Sequence, residues 1–242
     1  MKKHIDYLKK IIAPIVISFI ISSCSSGLQH LKKGNFDEAI FTSVERLQKS
    51  KDHKKALVVI REAYSLAIDD HKRAIRMFEN SQEPFRWEMA LSEYQALNRI
   101  YDVISHSSVS MREVGVPQNY AREAETARQL AADERYQAGL MALVHKENRL
   151  AAKDALMQFE RVNQLIPNYK NANQKVEEAF QYAIHRVVIE PVYDMYRLHD
   201  NDYFDLQKAF DDEFFRSKAS NQFVRYYKKK RLNVTLYHKM IW

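Results

Sequence analysis

Between Gly27 and Ala183 the apolar residues recur every three to four positions, the spacing that gathers side chains onto one face of an α-helix. The pattern predicts helices over 25–33, 36–49, 53–68, 70–80, 84–105, 119–146, 149–165 and 169–183. Pro84 suits the first turn of the helix carrying Trp87, where a missing N–H is tolerated. Gly115 and Pro117, after Ser105-His106-Ser107-Ser108, mark a loop. Asn119 to Leu143 is rich in Ala, Glu, Arg and Gln and predicts one helix about 40 Å long.

The pattern changes after Ala183. His185 to Val192 is β-branched and carries a proline near its end, which predicts a strand. Asp202 to Phe215 reads as helix, and 223–227 and 232–237 read as extended. Three short strands and a helix make a small α/β segment, and a sheet this small needs a partner or a covering helix. Truncation at Trp242 and a docking edge both account for it. The fold class expected is mainly α, a helix-turn-helix array over 24–183 followed by an α/β module over 184–242.

The N-terminus has a different pattern. Lys2, Lys3, Lys9 and Lys10 precede an apolar run from Ile11 to Ile21, the layout of a signal peptide. The run is eleven residues long, whereas a bilayer span needs about 20, so a permanent transmembrane helix is the weaker reading. Ile21-Ser22-Ser23-Cys24 resembles the bacterial lipobox. That resemblance implies cleavage after Ser23, removal of 1–23 as the signal, and lipid on Cys24. Each buried CH₂ contributes about 0.8 kcal/mol, so two or more acyl chains hold stably. Ser25 and Ser26 follow the cysteine, where an aspartate would imply inner-membrane retention; the outer membrane, on its periplasmic face, is the localisation implied. Cys24 is the only cysteine, so no disulfide framework exists.

Composition supports the helical reading. Four glycines and five prolines in 242 residues are too few for a turn-rich β fold. Removing 1–23 takes away four lysines and one aspartate and leaves 34 basic against 30 acidic residues, so the +7 of the whole chain falls to +4. The remaining basic run, Lys228 to Arg231, reads as a solvated loop rather than a phosphate site, and no nucleic-acid partner is expected.

Two stretches show how helices could pair. Gly34-Asn35-Phe36-Asp37-Glu38-Ala39 sets a turn glycine, an aromatic and a small residue in order; Ala155, Phe159 and Pro167 do the same later. A small residue lets two helices approach, an aromatic fills the space beside it, and proline stops the second helix. Both stretches resemble the tetratricopeptide repeat, a 34-residue helix-turn-helix unit. Trp87, Ala90 and Tyr94 have the spacing of a first helix in a further repeat, with a second helix running through Tyr101 and Ile104. Leu143 and Val162 stand where the family has glycine and a small residue. The family lines its concave surface with the first helix of each unit, which implies that Glu88, Ser92 and Gln95, and later Gln137 and Val144, face a partner.

Motifs for catalysis are absent from the sequence: there is no HExxH, GxSxG, phosphate loop or GxGxxG. His71 beside Asp69 and Asp70 is the nearest approach to a metal cluster, but adjacent helical residues point in different directions. His199-Asp200-Asn201-Asp202 lacks the glycine and distal glutamate of a calcium loop. The aromatic residues, with Phe36, Tyr94, Tyr136 and Phe159 at repeat-packing positions, read as core. The expectation is a lipid-anchored, non-enzymatic scaffold without metal or small-molecule cofactor that binds an envelope protein, as an assembly or secretion accessory. Capture of a glycan or peptide at the outer membrane is the alternative. A third reading, an envelope enzyme, would need Glu190, Asp194, His199 and Asp202 to converge.

Overall fold

The computed structural model describes residues 27–190, 200–217 and 221–228. The chain is mainly α with a small C-terminal α/β segment. Its helices are α1 (Leu28–Lys32), α2 (Phe36–Lys49), α3 (Lys54–Asn80), α4 (Arg86–Ser105), α5 (Ser108–Val114), α6 (Ala121–Leu143), α7 (Arg149–Leu165) and α8 (Ala172–Ala183). Strand β1 (His185–Ile189), helix α9 (Asp200–Ser217) and strand β2 (Val224–Lys228) follow. They divide into two compact units: residues up to Arg135 with Gln164–Pro167, and Tyr136–Asn163 with the residues from Asn168 on.

In the first unit α2 buries Ala39, Ile40, Ser43, Val44 and Leu47, a stripe of helical period. It packs on α3, which contributes Ala56, Val59, Ile60, Ala63 and Ala67. The alanines bring the two backbones close, and Ile100 and Ile104 of α4 with Val109 of α5 complete the core. His53 caps α3, its Nδ1 accepting from the Ala56 N–H at 3.2 Å. Gly27, just before α1, sits at φ +78°, and a Cβ there would lie 2.5 Å from the Ala39 carbonyl oxygen. Gly27→Ala is therefore expected to cost about 1–3 kcal/mol in a urea titration, from the left-handed backbone and from contact with backbone that cannot yield.

Several details differ from the expectation. The break between 53–68 and 70–80 does not exist: α3 is one helix of 27 residues. Asp69 and Asp70 are exposed and contain no breaker, while the inward stripe continues from Ala67 through His71 to Ile75. The loop around 105–117 contains α5, started by Ser107, whose hydroxyl oxygen accepts from the Ser110 N–H at 3.2 Å. Helix α4 runs unbroken over 20 residues, as the single helix expected over 84–105, and it therefore carries Trp87 and Tyr101 together where the repeat resemblance implied two arms. Pro84 lies in the turn before α4, and Phe85, at φ 61°, occupies the N-cap.

In the second unit α7 buries Ala152, Ala155, Leu156, Phe159 and Val162. The Phe159 ring lies over Gly139 of α6, where a Cβ would meet its edge at 2.8 Å. Tyr136 packs edge-on against Phe159, with ring centroids 5.7 Å apart, and its hydroxyl donates to Asn171 Oδ1. Strands β1 and β2 pair in parallel, His185 opposite Val224 and Ile189 opposite Lys228, with α9 between them in sequence, as a parallel pair requires. Phe214 of α9 meets Tyr226 of β2 at 5.3 Å between centroids. The strand expected to run to Val192 ends at Ile189, with Glu190 already outside it; 191–192 and the strand expected over 232–237 lie outside the described residues.

Candidate functional site

A cleft of about 300 Å³ opens in the first unit, lined by Glu79, Trp87, Tyr94, Arg122, Glu123, Thr126, Ala127 and Leu130. Three helices build it. Glu79 comes from the last turn of α3, Trp87 and Tyr94 lie two turns apart on one face of α4, and the remainder lines the first turns of α6.

Small residues and a set of polar ties set the distance between α4 and α6. Ala124 and Ala127 pack against Leu91, with Trp87 and Tyr94 beside them. Asn98 Oδ1 accepts from the Tyr120 N–H at 2.8 Å, just before α6 begins. Farther along, Arg135 Nε donates to Glu88 Oε1 at 2.6 Å, and Glu134 accepts from the Trp87 N–H at 3.3 Å. Burial raises the Glu134 carboxyl above its ordinary pKa, against the Trp87 N–H and the charges of Arg86 and Arg135. In the α3–α4 turn, Arg86 donates to the Glu79 carbonyl at 3.3 Å and to the Ser81 carbonyl, and its guanidinium lies 5.4 Å from the Trp87 ring centroid.

Within the cleft the Tyr94 hydroxyl donates to Glu79 Oε1 at 2.9 Å. The phenol is pushed up to about 12 by burial, by that hydrogen bond and by the negative charges of Glu79 and Glu123. It therefore stays protonated across the physiological range. Glu79 and Glu123 are half-buried, and among the described residues neither has a cationic partner. Arg122 is the cation on the lining, and it is exposed.

A second polar site lies in the same unit. His71 sits on the inward stripe of α3 with its side chain 15% exposed. Its Nδ1 is 2.6 Å from Glu93 Oε2 of α4, and its Nε2 is 3.0 Å from Asp37 Oδ1 of α2. The Asp37 hydrogen bond, opposed by burial and reinforced by Glu93, raises its pKa from 6.5 to about 9. The imidazolium is thus the neutral-pH form, donating from both nitrogens and joining three helices. Asp69 is not part of this arrangement, and Asp70 lines the shallow depression beside His71. Among the described residues no group of three or more His, Cys, Asp or Glu is placed to hold a metal.

The residues expected to face a partner are dispersed. Glu88 is tied to Arg135, and Ser92 and Gln95 are exposed on the α4 stripe that runs beside the cleft's Trp87 and Tyr94. Gln137 is exposed on α6, and Val144, also exposed, lies just beyond that helix; both belong to the second unit. Tyr136 and Phe159 are core, as expected, whereas Tyr94 is half-buried and lines the cleft. Cys24, Asp194 and His199 lie outside the described residues, while Glu190 and Asp202 are exposed. Glu79, Arg122 and Glu123 went unnoticed in the sequence. The one available signal was Trp87 and Tyr94 seven residues apart on a single face.

Comparison with family models, curated proteins and solved structures returned no match. Among the described residues no helix is long and apolar enough to cross a membrane. The site itself defines a helical protein with an open, aromatic and carboxylate-lined cleft.

Proposed function

We propose that the chain is a lipid-anchored envelope scaffold, held by acyl chains on Cys24 at the periplasmic face of the outer membrane, that binds another envelope protein through its helical body. It does no chemistry of its own. The observation that carries this reading is the cleft of Trp87, Tyr94, Glu79 and Glu123. It is open, of side-chain size and held by ties from α4 to α6 and to the residue just before it. Sites on packed helices keep their shape and present it to a partner with little ordering cost.

Two hairpins support a repeat-like origin for the body. In one, Gly27 admits the backbone and side chain of α2 around Ala39 and Ser43; in the other, Gly139 admits Phe159. Each contact includes a residue of one of the two stretches that resemble the tetratricopeptide repeat, Ala39 in the first and Phe159 in the second. The anchor rests on Ile21-Ser22-Ser23-Cys24 and the apolar run before it.

Two measurements test the reading together. Metabolic labelling with a radioactive fatty acid is expected to mark the wild-type protein and leave Cys24→Ala unlabelled. Crosslinking in intact envelopes is expected to recover a defined protein complex with the wild type and to lose it with Cys24→Ala. Label on the alanine variant overturns the anchor; a wild type that crosslinks to no protein overturns the scaffold. Ligand capture is favoured by the aromatic pair in an open cleft, and saturable binding of a soluble oligosaccharide would put it first.

A further inference from the structure

We propose that the cleft of Glu79, Trp87, Tyr94 and Glu123 receives the cationic side chain, lysine or arginine, of a partner polypeptide. The inference rests on the scaffold reading and specifies the chemistry that the partner must present.

Charge and shape both favour a cation. Two half-buried carboxylates face the cleft, and among the described residues neither forms an ion pair, although Glu88, Glu93, Glu113 and Glu134 of the same unit all do. One exposed guanidinium, Arg122, stands against them, so the lining is net negative. The single proton of the Tyr94 hydroxyl is already donated to Glu79, which leaves that oxygen as an acceptor toward the cleft. Burial first, and then the hydrogen bond to Glu79 and the charges of Glu79 and Glu123, raise the phenol pKa, so the hydroxyl keeps its proton beside them.

The walls suit the stem of such a side chain as well as its head. Indole and phenol faces attract cations through their quadrupole, and Trp87 already holds the Arg86 guanidinium 5.4 Å from its ring centroid. Ala127 and Leu130 add apolar surface for the methylenes, so a long cationic side chain buries its stem and keeps its charge at the carboxylates. An anion would meet two like charges and one rim guanidinium. A cavity of about 300 Å³, open to solvent, accepts one side chain rather than a folded segment.

The test uses the detergent-solubilised full chain carrying Trp242→Phe, so that fluorescence reports Trp87 alone. The probe is a blocked peptide of alternating glycine and lysine, compared with the same peptide bearing Nε-acetyl-lysine. The lysine peptide is expected to change Trp87 emission saturably, to lose affinity as salt is raised, and to bind about tenfold or more weakly to E79Q/E123Q. Glutamine at position 79 can still accept the Tyr94 hydroxyl, and helical circular dichroism checks that the fold survives; E123Q alone, with an expected smaller loss, serves if the double variant unfolds. Equal binding of the acetylated peptide, no loss in the variants, or no binding at all overturns the proposal. Envelope crosslinking separates this failure from that of the scaffold: capture of the same complex by wild type and E79Q/E123Q sinks the cation site alone, whereas no capture by either sinks the scaffold.

Discussion

Phe159→Ala is expected to lower the unfolding free energy of the second unit by about 3–5 kcal/mol, the largest effect of any single side-chain truncation considered. The ring is fully buried, so alanine loses its transfer free energy and leaves a void that rigid neighbours cannot fill. Those neighbours are Gly139, which offers no side chain to move inward, and Tyr136, held by its own hydrogen bond to Asn171. Phe159→Leu keeps most of the volume and is expected to cost about half as much. Gly139→Ala should also destabilise, because its Cβ would start 2.8 Å from the ring edge. A urea titration followed by helical circular dichroism reads all three. With two units the curve need not be two-state, so the loss belongs to the transition that shifts with Phe159. A loss under about 1 kcal/mol would mean that the α6–α7 contact does not hold this unit together.

Phe159 as a core residue was legible in the sequence, for a physical reason, whereas its neighbour Gly139 on α6 was not. Ala155 and Phe159 are four residues apart, one turn of a helix, and a small-then-large pair at that spacing makes sense only against another backbone. Helix α2 was legible for a similar reason, since Gly34 and Asn35 stop α1 and the stripe from Ala39 to Leu47 is uninterrupted. The sequence pattern divides α3 in two because Asp69-Asp70-His71 looks like a polar break when read along the chain. Around the helix, the aspartates point outward and only His71 falls on the stripe from Ala67 to Ile75.

The cleft was less legible still. Its residues span 79 to 130, and only the packing of three helices brings them together. The repeat resemblance points to Glu88, Ser92 and Gln95, which lie on α4 beside Trp87 and Tyr94, with Glu88 bonded to Arg135; it carries no sign of the residues that α3 and α6 bring to the cleft. Neighbouring stripes of one helix thus do different work. One faces the cleft, the next carries a tie to α6 at Glu88 and exposed polar residues beyond it.

His71→Ala is expected to cost about 2–4 kcal/mol at neutral pH, because it leaves Asp37 and Glu93 facing each other with the intervening cation gone. The pH dependence of the native protein is the sharper test. The folded-state pKa, about 9, lies above the ordinary 6.5, so the folded protein holds this proton more tightly than the unfolded chain does. Its stabilisation is therefore fully present below about pH 6.5 and is lost as pH rises through about 9. The full shift would be worth roughly 3 kcal/mol, and the partial solvent access of the site reduces this to about 2. Asp37 on α2 and Glu93 on α4 supply the field, and Asp70 in the adjoining depression shares its sign. Urea midpoints at pH 6, 7.5 and 9.5 are expected to fall for the native chain between the first and last values. In His71→Ala that fall should shrink by the same 2 kcal/mol, since among the described residues no other group with a resolved shift has its ordinary or folded pKa between these limits. A variant whose stability falls as steeply as the native chain's would show that His71 is not the charged link between α2, α3 and α4. Replacing His71 with leucine together with Asp37→Asn and Glu93→Gln is expected to recover much of the loss, because it removes the uncompensated charges along with the cation.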